Sequence, residues 1–435
     1  MRRIVVLATG PLAGEPLGSG IRALELARGL TRHGEVTLAV AGDSAAVGAG
    51  AEPVAGIPCV AFNPHDPRAL EPLLARADLV LATPRWPRVM RMLRRSGARL
   101  VFDLYDPEPL ALIPGFPGAR PVLRRRLADY AIDRVAEALA IGDQFLCSSE
   151  RQRDLWLGMM LSERLVGLAR YDHDPSLRSL IDVVPFGLSE QPPAPGPGAR
   201  ARFETIGERD EVVLWNGGLW PWLDAETPIR AAGLLAARRP LRLVFMGAAP
   251  ALPARRAGER ARELAAELGL LDRHVFFNDR WVPHEARGGW LLEADCAVSA
   301  HGDQLETRFS FRTRLLDCLW SGLPIVCTGG DEMADLVARE QLGAVADPGD
   351  PQALATALEQ VLDRGRGSFE PAFAATRGRF AWGEVSRPLA RLIDAPAPPR
   401  ARGRGGGPAR ALRRGVYLGS RRALDAVGVR DWPRV

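Results

Sequence analysis

The sequence predicts an α/β chain built from two doubly wound, parallel-sheet domains. Three observations carry the prediction. Short apolar runs alternate with amphipathic helical segments along most of the 435 residues, the alternation occurs twice, and a stretch rich in Pro, Gly and Ala, Gln191–Arg202, interrupts it midway. Strands covered by helices on both faces read as continuous apolar runs, as parallel sheets require. The chain also exceeds the ~250–300 residues at which one core stops growing.

In the first half the expected strands are Ile4–Ala8, Val36–Ala41, Pro58–Ala61, Leu79–Thr83, Arg99–Asp103, Gln144–Cys147 and Asp182–Val184. Between the first two, Ile21, Leu24, Ala27 and Leu30 recur on one face and predict a helix over Ile21–His33. Pro185-Phe186-Gly187 closes this half, and the Pro/Gly-rich composition that follows suits a linker. The second half gives Val212–Asn216, Arg242–Gly247, Val275–Phe277, Asp295–Ala300, Pro324–Thr328 and Ala344–Ala346. The expected division is 1–188 for the first domain, 189–210 for the linker, 211–395 for the second domain and 396–435 for a basic, flexible tail. Ligands of open α/β sheets bind at the carboxyl ends of the strands, so two such sheets facing a common cleft can hold two ligands.

Composition narrows the class. At 47% hydrophobic and 25% charged residues the chain is neither wholly disordered nor a polytopic membrane protein. All 57 basic residues are Arg. Without Lys there is no Schiff-base chemistry, and a phosphate must be met by Arg or by backbone N–H groups. The net charge of +5 resides in the tail, where ten Arg face two Asp, which leaves the body slightly negative and argues against nucleic-acid binding. Five scattered Cys without a C-x-x-C pair exclude a zinc ribbon and a disulfide framework. Met1-Arg2-Arg3 precedes an apolar run too short for a signal peptide, and no run approaches the ~20 apolar residues of a membrane span. The expected location is the cytoplasm.

Three stretches carry candidate chemistry. In the first, Gly18-Ser19-Gly20 leads into the first helix, whose amino end favours an anion, and Arg22 sits in the first turn. A cation there opposes the helix dipole unless something anionic compensates it. The same stretch also fits a dinucleotide fingerprint, Gly18-x-Gly20-x-x-Ala23 with Asp43, but about nine residues separate Gly18 from the strand where the fingerprint wants none. In the second, Tyr105 and Asp106 end the fifth strand; Asp106 is placed to orient a hydroxyl or take its proton, with a strand-end turn as the equal alternative.

The third runs from His301 to Asp317. Ser310 is the expected N-cap of a helix whose free N–H groups near Phe311 and Arg312, together with the charges of Arg312 and Arg314, make a diphosphate cradle. Asp317 is placed to accept hydrogen bonds from ribose hydroxyls, and Glu306 is the nearest further acid. Gly217-Gly218 lets backbone approach a ligand after one strand, and Trp281 after another can face a base or simply fill the rim. Asp172-His173-Asp174 has metal-motif spacing but reads as surface, so no metal site is expected.

Taken in order, Gly18-Ser-Gly-Ile-Arg-Ala-Leu-Glu-Leu-Ala, Ser149-Glu-Arg-Gln-Arg, Val184-Pro-Phe-Gly, Asn216-Gly-Gly and Phe311-Arg-Thr-Arg-Leu-Leu-Asp-Cys-Leu-Trp-Ser-Gly-Leu-Pro-Ile-Val resemble glycosyltransferase family 4 over about residues 1–390. The resemblance implies the two-domain GT-B fold and retaining, metal-independent transfer of a hexosyl group from a nucleoside-diphosphate sugar to a glycan or lipid-linked acceptor, as in polysaccharide or glycoconjugate synthesis. It places Asp317 at the donor ribose; the reading of the residues themselves adds Gly18, Gly20, Arg22, Gly217, Gly218, Trp281, Ser310, Phe311, Arg312 and Arg314 to the donor site, although no Lys follows Gly217-Gly218 as in the family. Asp106 and Glu306 become the catalytic acids, and no cofactor is implied. One departure stands out: Phe309 occupies the place of the family's first motif Glu, eight residues before Asp317.

Trp86–Arg95, Pro121–Arg126 and Pro408–Leu424 are basic segments with apolar residues among the Arg. They suit peripheral contact with anionic lipid on the inner face of the plasma membrane. The competing reading is a solvated helix face and an Arg-rich disordered tail. For the whole chain, the rivals to a glycosyltransferase are an NAD(P)-dependent oxidoreductase, a non-catalytic relative that binds glycan or a partner, and a nucleotide-sugar isomerase.

Overall fold

A computed structural model of the chain describes residues 1–12, 18–42, 53–112, 120–247 and 252–396. The chain divides into two compact units. Among the described residues, the first contains those within Met1–Pro109 and Arg120–Pro185 together with 385–396; the second is built on those within Phe186–Glu384 and takes in 110–112.

The first unit holds seven strands: β1 (Arg3–Ala8), β2 (Glu35–Ala41), β3 (Cys59–Phe62), β4 (Leu79–Ala82), β5 (Arg99–Asp103), β6 (Gln144–Cys147) and β7 (Ile181–Val183). They form one sheet in the order β3-β2-β1-β4-β5-β6-β7, and every pairing is parallel. The second unit holds β8 (Glu211–Trp215), β9 (Leu241–Phe245), β10 (Val275–Phe277), β11 (Cys296–Ser299), β12 (Ile325–Thr328) and β13 (Gly343–Ala346), ordered β10-β9-β8-β11-β12-β13 and again all parallel. Each expected strand is present within two residues of its bounds. Val80, Val101, Leu146, Val213, Val244 and Val326 are fully buried, as strands covered on both faces must be.

Strand order reverses between β1 and β4 in the first sheet and between β8 and β11 in the second. At such a switch point the loops leave in opposite directions and open a crevice for a ligand. The helix predicted over Ile21–His33 runs from Gly18 to Leu30 and buries Ala23, Leu26, Ala27 and Leu30. Gly20 is required there by close packing: a Cβ would lie 2.4 Å from the Pro11 carbonyl oxygen. At the other site, Gly322 adopts φ 63° and ends the helix Arg314–Ser321 in the left-handed conformation that glycine favours.

The expected end of the second domain at residue 395 is corrected. The helix Arg387–Asp394 belongs to the first unit, where Leu389, Leu392 and Ile393 are buried. Its carboxyl end, carrying the negative pole of the helix dipole, is held by two cations. Arg99 Nη1 donates to the carbonyls of Ile393 (3.1 Å) and Ala395 (2.9 Å), and Arg2 Nη1 donates to Ile393 (3.1 Å). Gln144 Nε2 donates to the Leu392 carbonyl at 3.1 Å. Sequence position places this helix after the second sheet, and only its contacts show that it covers the first. All of the expected tail beyond residue 396 lies outside the described residues.

If that helix is integral to the first unit, Ile393→Ala should destabilise it by about 2–4 kcal/mol, the cost of truncating a buried aliphatic side chain. Urea unfolding followed by tryptophan fluorescence checks this.

Candidate functional site

In the first unit, the carboxyl ends of β1, β4 and β5 and the start of the helix Gly18–Leu30 surround a cavity of about 280 Å³, counted with the open space at its mouth. Thr9, Ser19, Arg22, Thr83, Asp103 and Tyr105 line it. Arg22 is 1% exposed. Its Nε and Nη2 donate to the two carboxylate oxygens of Asp103 at 2.6 and 2.9 Å, Nη2 also donates to the Val184 carbonyl (2.8 Å), and Nη1 donates to that of Pro185 (3.0 Å). The anion that an Arg in this first turn requires is therefore internal. Arg22 is a strut joining the helix, β5 and the end of β7, with its side chain also on the cavity wall. Gly18 is exposed at the helix start, while Gly20 is taken up by its contact with Pro11. Asp106 is exposed just past β5, beside the half-buried Tyr105, whose ring lies 5.1 Å beneath the Arg22 guanidinium.

In the second unit, Trp215–Gly218 leaves β8 and Ser299–Gly302 leaves β11, on either side of the switch point. The segment expected to open with Ser310 as an N-cap folds otherwise. A short helix, Leu305–Phe309, comes first, and Ser310 closes it, its hydroxyl donating to the Thr307 carbonyl at 3.1 Å. The following helix runs Arg314–Ser321, with Thr313 in the cap position and no side-chain cap bond. Phe311 is half-buried in the intervening loop. Local competition decided this: a Ser hydroxyl satisfies a carbonyl three residues back as readily as an N–H ahead.

The two arginines of this loop have different fates. Arg312 is 3% exposed and ion-paired through Nε with Asp331, whose side chain is also wholly buried. Its Nη2 donates to the Thr328 carbonyl (2.8 Å) and its Nη1 to that of Ser299 (3.3 Å). It joins the loop to the ends of β11 and β12, and its expected role at a diphosphate is corrected accordingly.

Arg314 is different. Its guanidinium lies 5.0 Å from the Trp215 ring and donates to the Gly218 carbonyl at 3.2 Å. Its own carbonyl accepts from Asn216 Nδ2 at 2.7 Å. It makes no salt bridge among the described residues, and Nη1 is buried with no hydrogen-bond partner among them. Burial, with Arg312 as a second and like charge, pushes its pKa down to about 10. Arg314 as a whole is half-buried and feels the Asp317 carboxylate, but an enclosed N–H without an acceptor is a costly arrangement that an anionic ligand would relieve. Gly217 packs directly against this guanidinium; a Cβ would come within 3.3 Å of it.

Other polar atoms near this switch point share the condition. Asn216 Oδ1, Ser299 Oγ and His301 Nδ1 are buried without a partner among the described residues. Each such atom costs about 1–3 kcal/mol if nothing satisfies it. Asp317, one turn into the helix, is held by Arg287 Nη1 at 3.2 Å from Oδ2. Glu306 is 7% exposed in the first turn of the helix that ends at Phe309. Trp281 is half-buried beyond β10, past Asn278, whose Nδ2 donates to the carbonyls of Met246 (2.7 Å) and Arg280 (2.9 Å). Sequence reasoning missed Asp103, Asp331 and Arg287, the partners that fix these arginines and Asp317, and gave His301 no role. Among the described residues no group of three or more His, Cys, Asp or Glu comes together as a metal site, and no described helix is long and apolar enough to cross a membrane.

The assignment of Arg312 as framework makes a measurable prediction. Asp331→Ala leaves a buried guanidinium unpaired and should cost about 3–5 kcal/mol in urea unfolding.

Residues 210–364 match the family model described as glycosyl transferases group 1. No curated protein sequence matches the chain. Among solved structures, sucrose-phosphate synthase from Thermosynechococcus elongatus is 17% identical with a TM-score of 0.65, covering 90% of this chain and 98% of that one. The Anabaena protein HepE, solved in complex with UDP and glucose, is 16% identical with a TM-score of 0.62, covering 90% and 99%. WaaG, described as a glycosyltransferase involved in lipopolysaccharide biosynthesis, is 15% identical with a TM-score of 0.57, covering 89% and 98%. Together with the two parallel sheets, these likenesses establish the GT-B architecture.

Proposed function

For this GT-B glycosyltransferase, we propose that a nucleoside-diphosphate sugar binds at the β8/β11 switch point of the second unit and that its sugar passes to an acceptor hydroxyl served by the first. One observation carries the reading: the half-buried Arg314 makes no salt bridge among the described residues, its Nη1 is enclosed and unbonded, and further unsatisfied polar atoms accompany it at the same strand ends. The group 1 match over residues 210–364 and the UDP and glucose held by HepE support it.

The chemistry follows from charge. Cleavage of the bond between sugar and diphosphate builds negative charge on the leaving group, and fixed donors in a dry site stabilise that charge without reorganising. Arg314 supplies the charge, with the backbone at Gly217-Gly218 close by. Asp317, oriented by Arg287, receives the ribose hydroxyls, and Trp281 offers a face to the base. Glu306 serves the sugar in place of the acid absent at Phe309, and Asp106 serves the acceptor. In this reading the diphosphate is held without a metal, and the family resemblance supplies retention of configuration and an acceptor of the glycan or lipid-linked kind, as in cell-surface polysaccharide or glycoconjugate synthesis.

A thermal-shift panel of nucleotide sugars, with NAD(H) and NADP(H) as the rival arm, tests the reading. A ligand at 100 times its Kd stabilises the folded state by about 2.7 kcal/mol. Stabilisation by a dinucleotide alone would reverse the assignment. Arg314→Met sharpens the test. Removing this half-buried cation and its unbonded N–H should leave stability unchanged or raised, while nucleotide-sugar binding weakens at least ~10-fold, as expected for losing a charge-assisted contact. Calorimetry and urea unfolding of the same variant read both effects.

The same reading includes peripheral contact with anionic membrane. The helix Pro87–Arg95 buries Val89, Met90 and Leu93 in its own unit and exposes Arg88, Arg91, Arg94 and Arg95. Its outer face is thus cationic, and Val122 is 63% exposed at the start of the helix Pro121–Ile141. Each Arg near such a surface contributes about 1 kcal/mol. The full chain should co-sediment with anionic vesicles at low salt, less so at 0.5 M salt, and less after Gln replaces these four arginines. Absence of pelleting under all conditions would end the membrane contact.

A further inference from the structure

We propose that His301 is a donor-contacting residue, hydrogen-bonded to the diphosphate of the bound nucleotide sugar, and that donor binding places a proton on its imidazole. The inference rests on the donor site proposed above and adds to it a residue and a coupled proton.

The placement is geometric first. His301 stands two residues past the end of β11, at the switch point, and is 4% exposed. Its backbone is fixed from two sides. The His301 N–H donates to Thr328 Oγ1 at 2.8 Å, the same hydroxyl donates back to the His301 carbonyl at 3.2 Å, and Leu223 bridges His301 in antiparallel fashion. The ring is therefore held on a rigid support, yet Nδ1 is buried without a partner among the described residues. Imidazoles buried in native proteins ordinarily satisfy both nitrogens. One left open near a guanidinium that is also unsatisfied indicates a ligand that completes both.

The charges around the ring set its protonation. Arg312 and Arg314, from the loop and helix that follow, repel a proton on it, and burial adds to the effect, so the free protein holds His301 neutral well below the ordinary His range. The acids on the elements packed here are largely engaged. Asp331, after β12, pairs with Arg312; Asp317 pairs with Arg287; and Asp224, whose N–H donates to the Ala300 carbonyl, accepts from the Thr227 N–H. Glu306, in the short helix after the His301 loop, is buried. A diphosphate arriving here adds negative charge beside the ring, opposes the repulsion from Arg312 and Arg314, and favours the imidazolium. The complex then binds more protons than the free protein, so affinity must rise as pH falls.

UDP-glucose is a suitable probe because its diphosphate is doubly esterified and does not titrate near neutrality, so a pH dependence reports on the protein. Calorimetric titration of the full chain in two buffers of different ionisation enthalpy at pH 7 counts the protons taken up. The wild type should take up a substantial fraction of one proton and bind severalfold more tightly at pH 6 than at pH 8. His301→Gln, which keeps an amide donor but cannot titrate, should retain binding at pH 8 while losing both the proton uptake and most of the pH dependence. His301→Leu should bind weakly at every pH. Equal proton uptake in wild type and His301→Gln, with unchanged folding midpoints, would overturn the role of His301 and leave the donor site standing. Failure of UDP-glucose and every other nucleotide sugar to bind the wild type would instead overturn the site itself.

Discussion

A guanidinium taken out of water needs acceptors for its donors, and much of this chain's architecture follows from where the buried arginines find them. Lacking Lys, the protein meets every cationic requirement with Arg, a rigid fork of five donors that can join several chain segments at once. Arg22 uses that fork to tie the first helix to β5 and to the end of β7 through Asp103 and two carbonyls. Arg312 does the same between β11 and β12 through Asp331. Arg153 spends its donors on the carbonyls of Ile181 and Ser176, whereas Arg314 keeps Nη1 enclosed and unbonded among the described residues, which is the basis of the proposed donor site. A ligand-binding charge is one that the fold has left unsatisfied, at the expense of stability.

The strands were legible because their physics is local: a parallel strand buried on both faces must be apolar along its length, and the sequence says so directly. The strand order, and with it the switch points, emerged only in the fold, because alternation of strands and helices limits the topologies without choosing one. Arg312 and Arg314 were not legible either. They lie two residues apart, in the same loop, with the same chemistry. Which of them turns inward depends on Asp331, seventeen residues beyond Arg314 and past another strand. Arg22 posed the same problem, with its partner 81 residues away. Sequence established that a compensating anion was needed but could not show that the fold itself supplies it.

The loop between β11 and the helix Arg314–Ser321 gives a second lesson. Ser310 has the composition of an N-cap and the position of a C-cap, because Leu305–Phe309 had already formed a turn of helix. That turn brings Glu306 into the interior and puts Phe309 at its end. His301 had no sequence signal beyond standing after a strand. Its interest comes entirely from a nitrogen left open in the folded chain.

The path of the backbone has a consequence for how the protein is made. The chain leaves the first unit at Pro185 and rejoins it only at Val385, so that unit is discontinuous in order of synthesis. At the ~5–20 residues per second of translation, roughly 10–40 s separate the emergence of β7 from that of the helix that covers it. During this interval Arg99 and Gln144 lack the carbonyls of residues 392–395 that they will eventually hold, and the flank of β7 is without its cover. The second unit, contiguous apart from one short insertion, is free to fold first. The first unit can complete its native contacts only after the second has been made, an inversion of birth order built into the path of the chain.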